Sequence, residues 1–181
     1  MAEVEAAQLA DIPIFKDLPE GDLEALRALA QHVKIAAGDW LFRQEEVADC
    51  FYAVLSGGLD ILVRTPAGAE RLVIHTGPGT IVGETSVLIS GRRSASARAT
   101  AATALLRFPD DELRRMLSAE SLPAYRIVHR LAQSLAYRLR ELDAHIAEMS
   151  ASEGGPPEDD LDRLRRIFFT DWGPAASQGR I

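Results

Sequence analysis

The residues best suited to chemistry lie between Gly77 and Ala97, in the run Gly-Pro-Gly-Thr-Ile-Val-Gly-Glu-Thr-Ser-Val-Leu-Ile-Ser-Gly-Arg-Arg-Ser-Ala-Ser-Ala. An apolar strand ends at Val82, and Gly83 lets backbone approach a ligand closely. Thr85, Ser86, Val87 and Leu88 are predicted to form one helical turn before Ser90-Gly91 breaks it. The first N–H groups of such a turn point outward and favour an anion. Nine residues after Glu84 stands Arg93, always charged and able to fork two hydrogen bonds to phosphate oxygens, with the Ser94 hydroxyl and nearby amides beside it. A carboxylate at Glu84 would repel a phosphate unless it faced hydroxyl donors, which a ribose supplies. A cradle for a sugar phosphate follows. The same residues also fit a turn whose ion pair stabilises an exposed loop and binds nothing.

The elements around this segment follow from punctuation and periodicity. From Val33 to Phe108, short runs of Val, Ile, Leu and Phe are cut by Gly38-Asp39, Ser56-Gly57-Gly58, Pro66-Ala67-Gly68 and Gly77-Pro78-Gly79. That texture predicts antiparallel strands at Val33–Ala36, Trp40–Arg43, Phe51–Leu55, Leu59–Arg64, Arg71–His75, Thr80–Val82, Ala95–Thr100 and Ala104–Phe108. The fold class is mainly β with flanking helices: an eight-stranded β jelly roll with N-terminal helices and a long C-terminal helix. Leu23, Leu26, Leu29 and Ala30 mark a capped amphipathic helix before the strands, and Pro109-Asp110-Asp111-Glu112 opens another after them. A longer helix opens near Ser121 with Pro123 in its first turn. In it Val128, Leu131, Leu135, Leu139, Leu142, Ile146 and Met149 recur at threes and fours, close to a coiled-coil seam. The stripe either covers the end of the β domain or continues into a parallel homodimer, which is the preferred expectation. Residues 1–149 form the expected domain, 150–160 a Gly/Pro-rich acidic linker, and 161–181 a short apolar C-terminal segment with Arg163, Arg165 and Arg166 among its apolar side chains.

Composition narrows the function classes. The chain has 181 residues, 47% hydrophobic and 26% charged, as a folded domain does. It has no apolar run of membrane-spanning length and no secretory signal pattern, so a cytoplasmic protein without membrane attachment is expected. Cys50 is the single cysteine and the four histidines are scattered, so neither a disulfide nor a metal is expected. A net charge of −7 opposes attraction to nucleic acid or anionic lipid.

From about Ile12 to Met149 the chain resembles the cyclic nucleotide-binding domain family. The resemblance rests on Ile12-Pro13-Ile14-Phe15, on Gly38-Asp39-Trp40-Leu41-Phe42-Arg43-Gln44, and on Ala48-Asp49-Cys50-Phe51-Tyr52-Ala53-Val54-Leu55-Ser56-Gly57. Its most specific part is Gly83-Glu84 through Arg93-Ser94-Ala95, which resembles the family's phosphate-binding cassette. The resemblance implies that Arg93 grips a cyclic phosphate and Glu84 accepts from the ribose 2′-hydroxyl. Backbone near Gly83, Thr85, Ser86, Ser94 and Ala95 would complete the cradle, and Ile74 would line the base side. The long helix resembles the one that forms the dimer seam of the bacterial catabolite activators, with Arg138 and Asp143 near the level of base contacts. Departures accompany the match. Glu45 stands where many members carry glycine, a change expected to reshape the first hairpin at a distance from the phosphate. Ser86 and Val87 replace a commoner Ala-Leu, Arg92 replaces a frequent proline, and no Thr-Ser pair occurs near Leu142-Asp143.

The resulting expectation is a cyclic nucleotide sensor, with cyclic AMP favoured over cyclic GMP as regulatory ligand, no catalytic residues, and signalling through a protein effector that the 161–172 segment contacts. About 30 residues follow Met149, too few for the winged helix-turn-helix of DNA-binding relatives, so no nucleic-acid partner is expected. The alternative is a degenerate fold serving as a ligand-free dimerisation or docking module, whose mark would be a cassette occluded by its own side chains, with Arg93 paired to an internal carboxylate.

Overall fold

The computed structural model describes residues 9–64, 68–88 and 91–151. The chain divides into two compact units, Met1–Ser134 and Leu135–Ile181. In the first, eight strands are described: β1 (Gln31–Ile35), β2 (Trp40–Phe42), β3 (Cys50–Ser56), β4 (Leu59–Arg64), β5 (Glu70–Thr76), β6 (Ile81–Val82), β7 (Ser96–Ala99) and β8 (Thr103–Pro109). They pair antiparallel in two four-stranded sheets of order β1-β8-β3-β6 and β2-β7-β4-β5. The predicted jelly roll is present, with strand ends displaced by one or two residues.

The unbroken apolar run at the start of β3 has a simple cause, since both its faces are covered. Cys50, Tyr52 and Val54 point between the sheets with Phe42, Leu59, Val82, Ala97 and Leu105. Phe51 and Ala53 point the other way, to a layer built from Phe15, Leu26, Leu113, Ile127 and Leu131. Within that layer Phe51 stacks on Phe108 at 4.7 Å between ring centroids, and Phe15 meets Phe108 edge-on at 5.8 Å. In contrast, β5 is an edge strand with every residue exposed or half-buried, Leu72, Val73 and Ile74 included.

The helices are α1 (Glu20–Leu29), the single turn α2 (Thr85–Leu88), α3 (Asp110–Ser118) and α4 (Leu122–Ala151). The expected capped helix α1 begins without a side-chain hydrogen bond at its N-cap. Pro19 is its N-cap residue and has no side-chain acceptor, so Glu20 and Asp22 favour that terminus through the helix dipole instead. Asp22 is buried and receives two bonds from Arg126 Nη1, at 3.0 and 3.2 Å, which tie α1 to the first turns of α4. In α4, Leu131 is fully buried in the core and Val128 packs against it, so the start of the apolar stripe covers the β domain. In the second unit α4 is described to Ala151, with Leu135 and Leu139 half-buried and Tyr137 exposed. The 161–172 segment and most of the 150–160 linker lie outside the described residues. No described helix is long and apolar enough to cross a membrane.

Candidate functional site

Gly83 links β6 to α2 with φ +77°, a left-handed conformation natural only to glycine. A Cβ there would lie 2.4 Å from Arg93 Nη1, so the site needs both the conformation and the space. Thus the two ends of the cassette meet: the Arg93 guanidinium rests against Gly83, with Nη1 3.5 Å from its carbonyl oxygen, and Glu84 is the next residue, buried. Thr85 and Ser86 open α2, as the sequence predicts. Ser94 is exposed and Ala95 half-buried on the way into β7.

Arg93 is only 4% exposed. Nη1 donates to the Cys50 carbonyl at 2.7 Å and Nη2 reaches the Cys50 Sγ at 3.3 Å. The guanidinium carbon lies 4.3 Å from the centroid of Phe42 and 5.9 Å from that of Tyr52, two rings that stack on each other at 6.1 Å. Its ion pair is a distant one, Asp49 Oδ1 at 3.6 Å. Asp49 is 65% exposed and its closer partner is Arg107, at 2.6 Å from Oδ2. Burial would raise the Asp49 carboxyl, but the bond from Cys50 and the charge of Arg107 outweigh it and hold it below the usual aspartate range. Burial pushes the Cys50 thiol and the Tyr52 phenol up, so both are neutral at pH 7. The site therefore holds a desolvated cation faced by a carbonyl, a thiol and aromatic rings, with a shared carboxylate at a distance. Such a charge favours an anion able to accept from it directly.

Other expected residues are distributed differently. Ile74 lies on β5 directly opposite Ile61 of β4 and is 58% exposed. Arg138 and Asp143 belong to the part of α4 in the second unit, where Arg138 is exposed and Asp143 half-buried. Glu45, expected at a distance from the phosphate, meets the backbone of Arg93, its N–H donating to the Arg93 carbonyl at 3.0 Å. The sequence reading also missed Phe42, Asp49, Cys50 and Tyr52 as surroundings of Arg93. Their signal was an acid followed by a run buried on both faces, which does not announce its partner across 43 residues. A cavity of about 520 Å³ is lined by Asp49, Arg107, Asp110, Asp111 and Glu112 among others, but not by Arg93 or Glu84. Its carboxylates suit it poorly to a phosphate. Among the described residues no cluster of three or more His, Cys, Asp or Glu is arranged for a metal.

Residues 32–120 match the family model described as the cyclic nucleotide-binding domain. The chain is 34% identical to the cyclic AMP receptor protein of Thermus thermophilus over 142 residues, 78% of this chain and 63% of that protein. It spans less than two thirds of that relative's length. Among solved structures, the Thermus thermophilus catabolite activator protein superposes with a TM-score of 0.65 at 33% identity, covering 76% of this chain and 63% of that one. The regulatory domain of Toxoplasma gondii PKA, co-crystallised with cAMP, superposes with a TM-score of 0.58 at 30% identity, covering 64% of this chain and 45% of that one.

Proposed function

Because the chain belongs to the cyclic nucleotide-binding domain family, we propose that it is a regulatory sensor of a cyclic purine nucleotide, cyclic AMP before cyclic GMP. The observation that carries this reading is the Arg93 guanidinium, buried against the Gly83–Glu84 turn and 3.6 Å from the carboxylate of Asp49, which is itself shared with Arg107. A cyclic phosphate supplies an anion for that guanidinium to donate to, and its ribose gives Glu84 hydroxyl donors to accept from. Backbone at Thr85, Ser86, Ser94 and Ala95 completes the cradle, and the Ile61–Ile74 pair on the β4–β5 ribbon offers apolar surface to the base. Ligand binding transmits a signal to the extent that it favours one conformation of the protein over another. A protein effector, reached through the 161–172 segment, and a parallel homodimer along α4 complete the proposal.

Thermal unfolding with cyclic AMP, cyclic GMP and 5′-AMP tests it. At a ligand concentration a hundred times Kd, binding adds roughly 2.7 kcal/mol and raises Tm by on the order of 5 °C. A shift with a cyclic nucleotide and none with 5′-AMP supports the reading. No shift with either cyclic nucleotide at millimolar concentration favours the second reading, a ligand-free docking module, for which the Arg93–Asp49 approach at 3.6 Å speaks.

A further inference from the structure

Arg93 enters the site from a backbone that another loop holds in place. Its N–H donates to the Glu46 carbonyl at 2.9 Å and its own carbonyl accepts from Glu45 N–H at 3.0 Å. The contact continues as an isolated antiparallel bridge between Val47 and Arg92 and a bond from Ala48 N–H to the Gly91 carbonyl at 3.0 Å. Both main-chain polar groups of Arg93 are thus fixed by two adjacent residues in the loop between β2 and β3. Those two residues belong to a tight turn, closed by Glu46 N–H to the Arg43 carbonyl at 3.2 Å. At its third position Glu45 has φ +71°, where a turn of this kind calls for glycine or asparagine. A glutamate held there is strained, and the strain sits directly behind the residue that grips the anion.

The turn is braced by Arg43 N–H to Glu46 Oε2 and Gln44 N–H to Ser96 Oγ, each at 2.9 Å, and Arg92 reaches the strained residue itself. Arg92 Nη1 donates to the Glu45 carbonyl at 2.6 Å, a short charge-assisted bond between two exposed residues 47 apart in the chain. Glu45 and Arg92 are the two positions where the sequence departs from the glycine and proline of the resemblance, and the fold places them in contact. We propose that they are a coupled positioning pair: Arg92 holds Glu45 in the left-handed conformation, and the turn so held fixes the backbone from which Arg93 reaches its anion. If Glu45 relaxed to negative φ, its N–H and the neighbouring carbonyl would swing away from Arg93, and both main-chain bonds would weaken together. With glycine at 45 the turn needs no such support.

The pair predicts a coupling that simple destabilisation does not. Arg92→Ala is expected to speed amide exchange at Arg93 by about three- to tenfold relative to Leu105 in the sandwich interior, read by NMR on the nucleotide-free full chain. In a Glu45→Gly background the same substitution should change that ratio by less than twofold. Cyclic AMP affinity, which rests on the function proposed above, should follow: a loss of about three- to tenfold for Arg92→Ala, restored by adding Glu45→Gly, and largely avoided by Arg92→Lys, which keeps a cationic donor. Equal effects of Arg92→Ala in both backgrounds, or an unchanged Arg93 exchange ratio, would overturn the pair. If the unaltered chain bound no cyclic nucleotide, the function reading would fall, while the exchange cycle would still decide the pair by itself.

Discussion

Replacing Arg93 by alanine removes a buried cation from between Phe42, Tyr52 and the Gly83 turn, and two opposing consequences follow for the free protein. The Cys50 carbonyl loses its 2.7 Å charge-assisted donor, worth roughly 1.5–3 kcal/mol. The same change relieves the desolvation of a guanidinium whose counter-ion stands 3.6 Å away and is shared with Arg107. These terms largely cancel, so the net change in unfolding free energy should stay within about 2 kcal/mol. Ligand binding has no such cancellation, since the phosphate then enters a site without its charge. Truncating one side of a buried charged pair costs roughly 2–5 kcal/mol, which is about 30- to several-thousand-fold in Kd. Calorimetric titration with cyclic AMP beside urea unfolding of the same preparation separates the two effects. Arg93→Lys serves as the second variant: it keeps the charge, loses the planar fork, and should fall between wild type and alanine. A folded Arg93→Ala that binds within threefold of wild type would refute the reasoning.

Gly83→Ala combines a strained φ with a Cβ 2.4 Å from Arg93 Nη1, and should cost about 1–2 kcal/mol of stability and at least tenfold in cyclic AMP affinity; unchanged urea midpoint and Kd would contradict it. Arg126→Ala leaves the buried Asp22 carboxylate without its guanidinium. Because the Arg126 side chain is 42% exposed, the loss should be about 1–3 kcal/mol in urea unfolding, below that of a fully buried pair, and no change would show the link between α1 and α4 to be idle. Asp49 has a lowered value in the folded state, so its ionisation favours folding above its ordinary value of 3.8, and that contribution fades as pH falls through the lower folded value. The stability difference between wild type and Asp49→Asn should therefore shrink on acidification below that value; a gap constant from pH 2.5 to 6 would argue against it.

The strands were legible because glycine-bearing turns cut the apolar runs, and Cys50–Val54 reads as an unbroken apolar run because both its faces are covered. That Gly83, Glu84 and Arg93 belong together was expected from their residue types, and the structure brings the Arg93 guanidinium against the Gly83 turn. The counterparts of Arg93 were not legible. Cys50 precedes it by 43 residues and meets it where β3 pairs with β6 beside Gly83 and the loop before β3 bridges to Arg92 and Arg93. The contact of Glu45 with Arg93 was hidden for the same reason. The Val47–Arg92 bridge brings the loop between β2 and β3 onto the residues before β7, a pairing that no local pattern in the sequence announces. The start of α1 shows a more local limit: the periodic apolar residues mark the helix, but that Pro19 is its N-cap residue, with Glu20 and Asp22 in the first turn, is read from the structure.

The central claim is that a cyclic phosphate completes the charge of Arg93. Isothermal titration of the full chain with cyclic AMP, then cyclic GMP, at one salt concentration tests it most directly. Micromolar or tighter binding at one site per chain is expected, with the ratio of the two affinities identifying the preferred purine. No heat and no displacement of a fluorescent cyclic nucleotide at millimolar ligand would contradict it.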